Sequence, residues 1–153
     1  MNATARQTIC TNLATNLKAY TAPGETETMQ ELLGITEILA SEPRVPAPNQ
    51  LAVTFGGLSM DDDEAYVTLL ILYFRNRIED GAEELELKKA LDMICPAIFD
   101  DQTASNVAYE INEYSEELGV IETAREQILN GAQITVVYRV PAAFFRHEKG
   151  GLI

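Results

Sequence analysis

The chain has 153 residues, 46% of them hydrophobic and 23% charged, so it suits one compact domain with its own core and leaves no room for a second. Its 24 acids against 11 bases give a net charge of -13. That balance opposes attraction to nucleic acid or to an anionic membrane, because a phosphate-tracking protein needs surplus Lys and Arg along one face. No apolar run reaches the roughly 18 residues that cross a bilayer, and Met1 to Thr11 has no apolar stretch of about 7 to 15 residues followed by a small-residue cleavage site. A soluble protein made in a reducing cytoplasm is the expectation. Its two cysteines, Cys10 and Cys95, read as buried thiols on helices, and a disulfide between them would need Cα atoms within about 7 Å.

In chain order, Ala5 to Tyr20 places Ile9, Leu13 and Leu17 at four-residue spacing, widened by Cys10, Ala14 and Tyr20, which predicts an amphipathic helix stopped by Pro23-Gly24. Residues 1 to 24 hold no acid. Met29, Leu32, Leu33, Ile35, Ile38 and Leu39 fit either a short helix or a strand. Pro43, Pro46 and Pro48 deny donors to a ladder and make Ser41 to Gln50 a surface loop. Leu51, Val53 and Phe55 alternate with Ala52 and Thr54 and end at Gly56-Gly57, a strand. The acidic connection Leu58 to Glu64 then leads to a long strand from Ala65 to about Arg77, completing an antiparallel pair.

Within that strand, Tyr66 to Phe74 is bulky at both odd and even positions and has no polar face. Side chains alternate across a strand with period two, so both faces are expected to be covered, one of them by the chain's own helices. A second copy of the chain is a candidate cover for the other.

From Gly81 the period changes to helical, with Leu87, Leu91, Ile94 and Ile98 on one stripe beside Ala90 and Ala97. Glu79, Asp80, Glu83, Glu84 and Glu86 at its start, followed by Lys88 and Lys89, suit the helix dipole. Pro96 is expected to kink or end this helix near Cys95. Val107 to Tyr114 reads as a strand, Val107, Tyr109 and Ile111 on one face and Glu110 and Asn112 on the other. Tyr114 to Gln133 reads as a long polar excursion, in which Thr123 to Leu129 suits a short helix or part of a hairpin arm and Asn130-Gly131 is a turn signal. The last strand is Ile134 to Val140, with Ile134, Val136, Tyr138 and Val140 facing one way and Thr135, Val137 and Arg139 the other. Pro141 ends it, and Ala142 to Ile153 is a tail too short to fold by itself.

Chemistry is sparse. His147, the single histidine, has no partner cluster for a triad or a metal, and Gly56-Gly57 and Gly150-Gly151 lack the spacing of a phosphate loop. Asp61-Asp62-Asp63-Glu64 is the one candidate for a hard cation, but consecutive side chains diverge and the alternation of a calcium loop is missing, which favours a solvated turn. Glu83-Glu84 and Glu86 read as helix-start charges and Glu116-Glu117 as a solvated loop, not as general acids and bases in an apolar cleft. No catalytic residue, metal or cofactor is expected, and the chain does not read as an enzyme.

The fold class is therefore α+β: one domain over residues 1–153, its core about 5–140 and its tail 141–153, with its elements in the order α-β-β-α-β-β. That order resembles the tail terminator and tail completion proteins of long-tailed bacteriophages. The likeness runs through the opening helix, the Pro43 to Pro48 approach to the strand Leu51 to Phe55, the long strand Ala65 to Arg77 and the helix Ala82 to Ile98. It continues in Val107-Ala108-Tyr109-Glu110-Ile111 and in the closing Ile134 to Val140. The resemblance implies a mixed, mainly antiparallel sheet with helices packed on one face, and a homohexameric ring at the head-proximal end of the tail tube, in the virion's tail or neck. Such a ring stops tube polymerisation, contacts the tail tube protein and the head connector or neck protein, and lets DNA pass its lumen without specific binding.

A ring is a closed heterologous assembly, one patch meeting a different patch of the neighbour. The interface candidates are Val67, Leu69, Ile71 and Tyr73, with Leu70 placed on the core side, together with Phe144 and Phe145 of the tail; the strand's own pattern leaves open which parity is inside. Asp61, Asp62, Asp63 and Glu64 are candidates for a lumen or for solvent. Two rivals stand beside this reading: another head-to-tail adaptor of the same general fold, and an acidic inhibitor mimicking DNA. The second would display acids in a long regular row, whereas here they fall in short clusters at turns and helix starts.

Overall fold

A computed structural model describes residues 4–75, 82–122 and 128–146. Helix α1, Ala5–Ala19, starts where Thr4 accepts a hydrogen bond from the Gln7 amide (3.0 Å) and buries Ala5, Ile9, Cys10, Leu13, Ala14 and Leu17. The ambiguous stretch after it contains both of the elements it suggested. Thr28 and Glu31 close a capping box on helix α2, Met29–Leu33, which Gly34 ends in a left-handed turn (φ 67°), and strand β1, Glu37–Leu39, follows.

Strand β2, Gln50–Met60, pairs parallel to β1 and antiparallel to β3, Glu64–Arg75. Beyond helix α3, Ala82–Phe99, strands β4, Glu110–Glu122, and β5, Ile128–Pro141, form a long antiparallel hairpin, and helix α4, Ala142–Arg146, closes the described chain. The sheet runs β1-β2-β3-β5-β4, mixed and mainly antiparallel, with β3 in the middle. The α+β class holds, but the element order is richer than the sequence pattern, since α2, β1 and α4 are added.

One core lies between the sheet and the helices. Ala65, Val67, Leu69, Ile71 and Tyr73 of β3, Leu51 and Val53 of β2, and Ile134, Val136, Tyr138 and Val140 of β5 pack against α1, the inner stripe of α3, Met29 and Phe145. Val67, Leu69, Ile71 and Tyr73 are at most 1% exposed. They are not an interface: they are the intramolecular core, and Leu70 is the residue on the other face. Phe145 is buried with them and Phe144 packs partly buried against the same core, so the first residues of the tail are folded rather than free.

Three local signals are overridden for physical reasons. The β2 strand does not stop at Gly56-Gly57, because Gly56 is the extra residue of a bulge between Phe55, opposite Leu69, and Gly57, opposite Thr68. Asn130-Gly131 is not a turn: both residues lie inside β5, paired to Arg75 and Phe74 on one side and to Val120 and Gly119 on the other, and two ladders outweigh a two-residue preference. Pro96 does not end α3, since Asp92, whose carbonyl loses its bond, sits with Pro96 on the exposed side where water replaces the donor. Of the two readings of Thr123 to Leu129, the hairpin arm holds and the helix fails at Ile128 and Leu129, which belong to β5 and pair with β4; residues 123–127, and also Glu79, Asp80 and His147, lie outside the described residues.

The strand expected from Val107 starts only at Glu110, because residues 101–108 make a compact turn. The Asp101 carboxylate accepts from the Thr103 and Ser105 amides (both 2.9 Å), and Ala104, Ser105 and Asn106 all have positive φ (48°, 62° and 70°). Helix α1 holds this unusual run in place: Asn12 Nδ2 donates to the Ala104 carbonyl (2.9 Å) and Asn16 Nδ2 to Asp101 (3.3 Å). The hydrogen bond from the Thr103 hydroxyl, followed by those from the two amides, keeps the Asp101 carboxyl below its ordinary range.

The burial pattern makes a direct prediction. Val67→Asp or Ile71→Asp leaves a carboxylate unpaired in the core and should cost about 4 kcal/mol or more, whereas Leu70→Asp at a half-exposed position should cost about 1 kcal/mol and leave a folded chain. Urea unfolding followed by circular dichroism measures both, and equal losses would mean that the Leu70 side is core as well.

Candidate functional site

The four helices contribute to the core on one side of the sheet, and among the described residues none covers the other. Cross-strand register places the side chains there in rows. Thr54, Leu70, Thr135 and Ser115 form one row, then Gly57, Thr68, Val137 and Glu113, then Ser59, Tyr66, Arg139 and Glu110. At the opposite end Ala52, Leu72 and Phe74 form a small buried cluster with Leu39 against it. The less covered part is thus hydroxyl-rich, with the partly exposed Leu70 at its centre and Val137 buried beside it.

The Gly56 bulge keeps this surface low. A Cβ on Gly56 would stand 3.1 Å from Leu70 Cγ and 3.2 Å from Thr68 Cγ2, so the bulged backbone lies tightly against its neighbours. A Cβ on Gly57 would meet nothing within 4 Å. Gly57, Ser59, Tyr66, Thr68, Asn112 and Glu113 line an open groove of about 470 Å³ together with Leu58 and Val137.

Beside the groove, Arg139 is the one base on the described strands of this face, and it is fully engaged. It pairs with Glu64 and with Glu110 (3.3 Å) and lies over the Tyr109 ring at 4.6 Å. The contact with Glu64 is the main reason its guanidinium is held even more firmly protonated than usual. Asp61, Asp62 and Asp63 stay exposed at the β2–β3 turn, and with Glu64, Tyr109 and Arg139 they surround a depression of about 430 Å³. The turn is braced by the start of α4, since the Ala142 amide donates to the Asp63 carbonyl (3.0 Å) and Arg146 to that of Asp62 (3.1 Å). Of the acids expected at a lumen or in solvent, three are solvated and Glu64 is an ion-pair partner.

No group of three or more metal-ligating side chains converges among the described residues. Cys10 and Cys95 are both free; Cys10 is buried in the core and Cys95 half-buried. Tyr114 packs against Phe99 (ring centroids 5.1 Å apart), and burial, then its contacts with Cys95 and Glu116, hold its hydroxyl protonated. Among the described residues the Tyr138 hydroxyl is the one buried side-chain polar atom without a partner, and burial likewise keeps it protonated. No described helix is long and apolar enough to cross a membrane.

The sequence reading therefore missed the face that is bare, taking the odd-numbered residues of β3 for it. The signal that finds it lies in the neighbours: β5 alternates Ile134, Val136, Tyr138 and Val140 against Thr135 and Arg139, and register carries that parity onto β3. No family model matches the chain, and no curated protein matches it in sequence at a significant level.

Burial pushes the Cys10 thiol up to about 11. At pH 8 only about a thousandth of it is then thiolate, against roughly a quarter for an unperturbed cysteine, and thiolate is the reactive form. A disulfide-exchange reagent at pH 8 should modify Cys10 at least about a hundredfold more slowly in the folded chain than in urea. Equal rates would contradict its burial.

Proposed function

We propose that this chain is a structural joining protein of a virion, a tail terminator that forms a hexameric ring at the head-proximal end of a tail tube, ends tube polymerisation and meets the head connector. The observation that carries the reading is the one-sided sheet. Helices back one face, while Thr68, Leu70 and Thr135 stand partly exposed on the other, beside the buried Val137. A patch of this kind, next to a folded core that needs no further support, suits a subunit that receives a different protein of the tail or neck on this face.

The docking surface in this proposal is the even-numbered side of β3 rather than the odd-numbered one. Two further features support the role. The 13-residue strand β4 forms one edge of the sheet, and its Glu113, Glu116 and Glu117 together with the bulge between Ile111 and Glu113 blunt it against uncontrolled strand pairing. The net charge of -13 leaves acids such as Asp61, Asp62 and Asp63 free to line a lumen that DNA crosses without sticking.

Size-exclusion chromatography with light scattering on the purified chain, alone and with a tail tube protein, tests this. The expected result is a hexamer, or a monomer that closes into a ring on the tube. A chain that stays monomeric under both conditions would overturn the proposal.

A further inference from the structure

We propose that the bare sheet face docks a cationic, apolar-studded segment of a partner protein; the inference rests on the reading of this face as a docking surface and adds the chemistry of its occupant. The accessible apolar content is central and small: Leu70, partly exposed, flanked by the methyl groups of Thr54, Thr68 and Thr135, with Val137 buried beside it. Around it the charges have one sign. Register puts Glu110, Glu113 and Glu117 of β4 on this side, Glu64 of β3 belongs to it, and Asp61, Asp62 and Asp63 close one end. Arg139 is the sole opposing base on these strands, and Glu64 and Glu110 already neutralise it.

An occupant of the groove over Gly57, Thr68 and Val137 therefore has Glu113 beside it and the acidic turn within reach, and an acidic or neutral polar segment gains nothing from either. DNA is repelled by the same charges. A second copy carries the same net charge of -13, which makes it a poor occupant for an acidic face. A segment bearing Lys or Arg at alternate positions, with small or β-branched residues between them, satisfies both halves of the surface. Its apolar side fills the groove, and its charges meet Glu113, Glu117 and Asp61 to Asp63. Steering by these exposed acids makes the association dependent on salt.

The test uses the full chain and two synthetic peptides with blocked termini, one alternating Lys and Val and the other Glu and Val, with binding followed by fluorescence anisotropy. The Lys peptide should bind at least about tenfold more tightly than the Glu peptide and weaken as salt is raised through about 0.15 M. Gly57→Tyr, which places a ring in the groove at a position where a Cβ meets nothing within 4 Å, should reduce that affinity about tenfold or more with an unchanged circular dichroism spectrum. Glu113→Lys should do the same, whereas Asp92→Lys on the exposed side of α3 should not.

Equal loss in Asp92→Lys, or no loss in Gly57→Tyr, would mean attraction to net charge alone and would overturn the proposal. So would self-association of the chain that Gly57→Tyr abolishes, which would make the occupant a second copy. The ring is read separately from the mass of the chain: a monomer that binds the Lys peptide at this groove sinks the ring and leaves the docking chemistry standing, and a hexamer that binds no peptide does the reverse.

Discussion

The burial of one side of β3 sets the terms for the rest of the molecule. Ala65, Val67, Leu69, Ile71 and Tyr73 are packed against α1 and α3, and a strand cannot turn one side inward without turning Tyr66, Thr68, Leu70, Leu72 and Phe74 the other way. Antiparallel register then commits the neighbours, since Val136 must lie beside Leu69 and Val137 beside Thr68. The sheet's two faces follow from this single choice of parity, and a slip by one residue would exchange them all.

The connections hold that choice in place. Asn12 and Asn16 reach from α1 to the left-handed turn at Ala104 to Asn106, joining the end of α3 to the start of β4. Such backbone costs of order 1 kcal/mol per residue, and the hydrogen bonds to Asp101 and Ala104 offset it. At the far side, Arg6 lies over the rings of Phe55 and Phe145 (5.6 Å each), tying α1 to β2 and α4, while α4 steadies the acidic turn. The groove therefore sits on rigid strands, and the acids beside it on a braced turn.

Much of the architecture is legible in the residues. Helix α1 follows from its four-residue spacing, α3 from its change of period, and the acidic β2–β3 connection from clustered aspartates between two apolar runs. What misleads is local. Asn130-Gly131 is a turn dipeptide in isolation, and only pairing to both β3 and β4 makes it strand. Tyr66 to Phe74 is apolar at both parities, so its own pattern does not say which side is core; that information is held non-locally in β5 and β2. The less covered face is hidden for the same reason, and its acids look dispersed along the chain because strand pairing, rather than sequence adjacency, gathers Glu64, Glu110, Glu113 and Glu117 onto one face.

The two-faced character of β3 is measured most directly by thiol labelling. With Cys10 and Cys95 replaced by Ala, single cysteines at positions 66 to 71 are exposed to a maleimide in the folded chain. The account predicts alternation, with fast labelling at 66, 68 and 70 and rates at least about a hundredfold slower at 67, 69 and 71. Equal protection at both parities would contradict it, because the face assigned to a partner would then already be covered by the chain itself.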